Sequence, residues 1–208
     1  MLKRIVIALC LSASALSAAS VIINNDDDTA YAISGFFPGD GNVVVGYFNG
    51  LGTDAASSNA LADSLTVSEI LDAYANNFTA ITTNADNSGF TQEAIFQANS
   101  PDVDLNSWVD YNLYIIIGDT FSAIADSTAI ALINTNFVII EETLPVEYSG
   151  LFDSSMNIII GSLDGTTPAQ PNTGGTFSNN LVLAAIPEPS SSFLIALAGL
   201  GLITRRKR

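Results

Sequence analysis

The 208-residue sequence has no histidine, one cysteine (Cys10), one tryptophan (Trp108) and only six basic residues. Those six stand at positions 3, 4 and 205–208, so nothing between Ser20 and Ile186 carries a positive charge. Each absence excludes something. A stretch without histidine, lysine or cysteine has no imidazole base, no thiolate or amine nucleophile and no Schiff-base former. No Ser-His-Asp arrangement can be assembled from it either. All but Glu188 of the 21 acidic residues lie within that stretch, which therefore has a formal charge of −20. Its carboxylates must be satisfied by water, backbone N–H, hydroxyl and amide groups or a bound cation, because burying one unpaired costs several kcal/mol. Such a surface favours solubility, opposes compaction and argues against nucleic acid, anionic polymers or anionic lipid as direct partners.

What is present is concentrated first at the two ends. Lys3 and Arg4, the apolar run Ile5 to Leu11 and the small residues that follow have the layout of a secretory signal peptide over residues 1–19. Ser17 and Ala19 suit the −3 and −1 positions, so the mature chain is expected to begin at Ser20 or within a residue or two. Leu9 precedes Cys10 where a lipoprotein signal needs a small residue, so Cys10 leaves with the leader and no thiol chemistry is expected. The other end, residues 187–208, opens on Pro187-Glu188-Pro189 and a serine run. From Phe193 to Ile203 every residue is apolar or glycine, and Arg205, Arg206, Lys207 and Arg208 follow. As a helix, Ser190 to Thr204 spans roughly 22 Å, short of a hydrocarbon core of about 30 Å. Phe193, Leu194, Ile195, Leu197, Leu200, Leu202 and Ile203, at about −0.3 to −0.6 kcal/mol each, favour insertion by only a few kcal/mol. The four cations stop the segment at the cytoplasmic face and fix its sense as positive-inside. A marginal single transmembrane anchor is the expectation. The two prolines hold Glu188 in an extended segment that cannot join a helix.

This tripartite tail resembles the PEP-CTERM sorting signal of Gram-negative bacteria. The resemblance covers about the last 23 residues. It implies export, transient anchoring in the inner membrane, recognition and cleavage near the motif by an exosortase, and a final place on the cell surface or in the extracellular matrix. Stretches around Val44 to Leu51, Val67 to Phe78 and Ser107 to Asp119 are more loosely similar to small exported proteins that share the tail in environmental bacteria, and that likeness implies no activity.

The middle, residues 20–186, is long enough for one domain with a sizeable core. Its aromatic and β-branched content favours folding despite the charge. Val43 to Phe48, Asn112 to Gly118, Ala129 to Ile133, Phe137 to Ile140, Asn157 to Leu163 and Leu181 to Ile186 read as strands. Ala30 to Phe37 and Glu93 to Gln97 are weaker candidates. Asn134-Thr135-Asn136 is expected as a hairpin turn between two of them. One helix is expected over Val67 to Phe78, capped by Thr66 with Glu69 three residues on, with Ile70, Leu71, Tyr74 and Phe78 on one apolar face. Asn59 to Leu65 is ambiguous, and Asp164 to Asn180 reads as a long polar loop. The expected class is mainly β (α+β): an antiparallel β domain with one packed helix.

Two chemistries stay open for that domain. Asp102, Asp104 and Asn106 alternate as oxygen ligands do in calcium loops, with Asp110 close behind, and Asp26-Asp27-Asp28 is a second acidic cluster. The first lacks the sixth-position glycine and twelfth-position acid of a helix–loop–helix site, where Ser107 and Leu113 stand. A solvated acidic loop is the commoner outcome of either pattern. Calcium is expected to raise the melting temperature of residues 20–186 relative to chelator, and an unchanged melting curve would remove the idea. A carboxylate pair of the glycosidase kind is the other possibility, although nothing selects two of the twenty acids and Trp108 is the single tryptophan. The expected role is binding or structural rather than enzymatic, with an exosortase-type enzyme, the inner membrane and exopolysaccharide or other surface components as partners, and a secreted carboxylate-dependent hydrolase as the alternative.

Overall fold

Two strands buried almost from end to end lie at the centre of the domain. The computed structural model describes residues 19–82, 89–141, 146–171 and 173–187. In it β3 (Asn42–Phe48) pairs antiparallel with β7 (Asn112–Gly118), with Val44 opposite Ile116 and Asn42 opposite Gly118. β8 (Ala129–Val138) continues the sheet beyond β7, placing Ile133 opposite Ile115. β4 (Phe78–Ala80) closes one edge, while β10 (Asn157–Ile160) and β13 (Ala184–Ala185) share the other edge along β8. Unbroken apolar runs such as VVVGYF and LYIII fit this position, because both faces of the sheet are covered.

One face packs on a second sheet. There β1 (Ala19–Asn24) lies between β6 (Ile95–Val103) and β9 (Val146–Leu151), with β5 (Gly89–Gln92) outside β6. Odd-numbered residues of the central strands (Val43, Val45, Ile115, Ile117, Ala131, Ile133) meet Val21, Ile23, Phe96 and Tyr148 across this interface. The even-numbered set (Val44, Phe48, Tyr114, Ile116, Ile130, Leu132) faces α1 (Ala55–Ala62) and α2 (Ile70–Asn77), and buries Ala62, Ile70 and Ala73. The period-two alternation of a strand thus divides one apolar run between two cores. A small third sheet, β2 (Tyr31–Ala32), β12 (Asn179–Val182) and β11 (Ser162–Leu163), flanks a separate cluster around Phe177.

The mainly β class holds, with three differences of substance. Among the described residues there are two α-helices rather than one. α1 escaped notice because its residues AASSNALA form no apolar stripe. Its start is nonetheless encoded, since the Asp54 carboxylate accepts the Ser57 N–H at 2.8 Å and the Ser57 hydroxyl meets the Asp54 N–H. α2 starts three residues later than expected: Glu69 does reach back to the Thr66 N–H (3.0 Å), but residues 67–69 form a turn, not helix. Asn134 to Asn136 is no hairpin. β8 runs straight through it, and Asn136 takes a positive φ of 61° near the strand's end. The chain turns after Ile160 instead, where Gly161 adopts φ 109° and divides the expected Asn157–Leu163 strand between two sheets. Finally, pairing is not wholly antiparallel, since β1 runs parallel to β9 and β12 parallel to β2.

Two residues lock this arrangement. Asn25 is fully buried, donates to the carbonyls of Tyr31 (2.9 Å) and Ala94 (2.8 Å) and accepts the Phe96 N–H at 2.7 Å. Gly46 admits β4 to the edge of β3, because a Cβ there would stand 2.1 Å from the Thr79 carbonyl oxygen. Ala19, the expected last residue of the leader, is buried as the first residue of β1, opposite Val103 and Val146.

Candidate functional site

The last strand of the domain ends beside the Pro-Glu-Pro triplet. β13 lies antiparallel on β8, with Ala184 opposite Ile130 and Ala185 opposite Ala129, and the Ile186 N–H donates to the Thr128 carbonyl at 2.8 Å. Ile186 is half-buried against the helix-side core, whereas Pro187 is exposed. A proline has no N–H to continue the ladder, so pairing stops at the first residue of the Pro-Glu-Pro triplet. The receiving carbonyl belongs to the loop 119–128, which Asp119 closes by accepting the Thr128 N–H (2.8 Å) and hydroxyl (2.6 Å). Partial burial pushes the Asp119 carboxyl up. The Thr128 hydroxyl, with backbone N–H groups, outweighs that and holds it below the usual carboxylate range. Ser127 folds over Gly118, where a Cβ would meet its hydroxyl oxygen at 2.1 Å. The tail is therefore launched from an ordered edge, with no linker between domain and motif.

The acidic side chains solve the charge problem locally. Asp27 accepts the Thr29 N–H (2.8 Å) and hydroxyl (2.7 Å), and Asp164 does the same with Thr166 (2.8 and 2.6 Å) while also accepting the Asn180 amide (2.8 Å). Asp153 accepts the Ser155 N–H at 2.8 Å. Each is an acid bonded two residues on, a turn that Asp, Ser, Thr and Asn favour. Glu69 takes the Thr66 hydroxyl and N–H. The backbone N–H of Thr29 and of Ser57 lower the Asp27 and Asp54 carboxyls, and the Thr66 and Thr166 hydroxyls lower Glu69 and Asp164. Asp63, after α1, accepts from the Tyr114 hydroxyl (3.1 Å) and Asn134 amide (2.9 Å), while Asn59 bridges the Asp110 carbonyl and Asn112 N–H. These four contacts fasten α1 to the sheet without a cation. Burial, and then Asp63, push the Tyr114 hydroxyl upward.

The expected oxygen-ligand loop is split by the fold. Asp102 belongs to β6, whereas Asp104 follows the strand and accepts the Asn106 N–H at 3.1 Å, the same local turn. Asn106 opens a 3-10 turn, Asn106–Trp108. Among the described residues no three His, Cys, Asp or Glu side chains converge as a metal-binding group. Trp108 packs on Tyr47 (5.0 Å between centroids) and Tyr111 (5.8 Å), an aromatic trio beside the main core. Burial pushes the Tyr47 hydroxyl up to about 12. Glu188, Pro189, the apolar residues Phe193 to Ile203 and the cations Arg205 to Arg208 lie outside the described residues, as does the leader before Ala19. No described helix is long and apolar enough to cross a membrane.

Residues 185–208 match the family model of the PEP-CTERM protein-sorting motif. The match begins inside β13, so motif and fold overlap at Ala185. This motif marks a chain for export, C-terminal membrane anchoring and exosortase sorting towards the cell surface. No curated protein and no solved structure matches the chain.

Proposed function

We propose that this is an exported surface or matrix protein whose acidic domain acts by binding or as a structural component, not by catalysis. A signal peptide over residues 1–19 directs export, the apolar segment from Phe193 to Ile203 anchors the chain, and Arg205 to Arg208 stop it at the cytoplasmic face. An exosortase-type enzyme then acts near Pro187-Glu188-Pro189. The sorting-motif match over residues 185–208 carries the reading. The carboxylates support a non-catalytic domain. Asp27, Asp54, Glu69, Asp119 and Asp164 are all held below the usual range by neighbouring donors, whereas a general acid needs a raised value near the working pH.

Intact masses of the protein from membrane and culture-medium fractions test the sorting half. The expected result is a full tail on the membrane form and a mass ending near the motif in the medium. Replacing Pro187, Glu188 and Pro189 with alanine should leave the tail on and the protein in the membrane. A full-length chain recovered from cytosol with Met1 attached would overturn the reading. Co-sedimentation with exopolysaccharide, set against release of reducing sugar, tests the domain's role; sugar release would favour the hydrolase instead.

A further inference from the structure

We propose that the end of the domain from which the tail departs rests on the lipid–water interface, with Phe37 and Phe121 as the side chains that enter it. The inference depends on the anchoring just described, and adds an orientation to it. β3 starts at this end and β7 finishes there, since Asn42 lies opposite Gly118. β8 starts there too, and β13 finishes there beside Ala129. The loop before β3, the loop 119–128 and the exit at Pro187 therefore share one rim. The Asn42 amide donates to the Phe121 carbonyl at 3.4 Å and joins the two loops.

The opposite end, where β8 finishes, exposes Val138 (44 %) and Ile140 (52 %), and the rim differs from it in exposing aromatic side chains. Among the described residues only two aromatic side chains are exposed, Phe37 (48 %) and Phe121 (51 %), and both are on it. Distance then selects the occupant. With neighbouring strands about 4.8 Å apart, the tail leaves roughly 10 Å from the end of β7. The six residue-to-residue steps from Pro187 to Phe193 span at most about 20 Å, so the rim is leashed close to whatever holds the apolar segment. On so short a leash a weak apolar contact is sufficient, because the effective concentration of the bilayer surface is high. Three carboxylates on the rim accept local hydrogen bonds while staying at the surface: Asp40 from the Phe37 N–H, Asp119 from Thr128, and Asp126 from the Ser122 hydroxyl. Their charge still opposes an anionic surface, so a zwitterionic bilayer is the better partner.

The test uses the full chain in a Cys10→Ser background, reconstituted in phosphatidylcholine vesicles carrying nitroxide lipids. Single cysteines at Phe37→Cys, Phe121→Cys and Ser107→Cys are labelled with an environment-sensitive fluorophore. Ser107 precedes β7 at the opposite end of the sheet and serves as the control. Vesicle flotation measures anchoring independently. The expected result is flotation of all three, about two-fold quenching at positions 37 and 121, little at 107, and weaker quenching when phosphatidylglycerol is added. Flotation without quenching at 37 and 121, or with equal quenching at 107, overturns the rim contact and leaves the anchor standing. Failure to float overturns both. A spectral change at 37 and 121 that follows protein density rather than lipid assigns the rim to a second copy and also overturns the proposal.

Discussion

Raising NaCl from about 10 mM to about 150 mM should stabilise the domain of residues 20–186 by several kcal/mol, because its electrostatics contain repulsion and no ion pair to weaken. Its formal charge is −20 with no basic residue. A domain of this length has a radius of gyration of about 15 Å, equivalent to a sphere of about 20 Å radius. Spreading the charge on that sphere in water gives a self-repulsion of about 25 kcal/mol at a Debye length of 30 Å and about 12 kcal/mol at 8 Å. The unfolded coil, nearly three times wider, carries about 5 and 2 kcal/mol under the same conditions. The difference between the states falls by about 10 kcal/mol, an upper bound because counterions trim the effective charge. Even a quarter of that moves Tm upward by roughly 5–10 °C for a domain of this size. Thermal melts followed by circular dichroism across this salt range are the assay. A Tm that stays flat or falls would refute the reasoning, as would a rise that begins only near 1 M, where salt acts by exclusion from the surface.

Four further outcomes follow from particular residues. Asn25→Ala removes three buried hydrogen bonds and should cost about 3 kcal/mol, read as a shift in the urea midpoint at unchanged slope. Gly46→Ala drives a Cβ against the Thr79 carbonyl and should destabilise by about 3 kcal/mol or more, with hydrogen exchange rising first in residues 78–80. At high salt, where repulsion is screened, stability should hold down to about pH 4 and then fall. Asp27, Asp54, Glu69, Asp119 and Asp164 have depressed folded values, so their contribution exists above the unfolded pKa and is lost as they protonate; a flat profile to pH 2 would count against these contacts. Millimolar calcium and magnesium at equal ionic strength should raise Tm equally, since Asp27, Asp104 and Asp164 are already engaged in local turns; an excess for calcium would reveal a specific site.

Patterns that depend on near neighbours were legible in the chain. The buried strands Asn42–Phe48 and Asn112–Gly118 show as apolar runs bounded by turn formers, and the sorting tail is a linear signal read without a fold. Interrupted or context-dependent elements were not. α1 has a capping box but no apolar stripe, and β9 (VEYSGL) is half-buried and edge-placed, so neither carries a strong period. Asn134 and Asn136 look like turn residues, yet Asn134 is buried in β8 and bonds Asp63 from a helix cap 71 positions away. At Asp104 the alternation is one that ligand loops and local turns share, and the structure places a local turn there.

Composition and linear motifs alone determined the missing cations, the −20 charge and the match to a sorting motif, because counting and short-range order suffice for them. Only the tertiary structure decided that β13 binds β8 up to Ile186, that the motif has no spacer, and that Phe37 and Phe121 share its rim. Those facts arise from strands more than fifty residues apart pairing in one register, and no local propensity encodes which distant strands will meet.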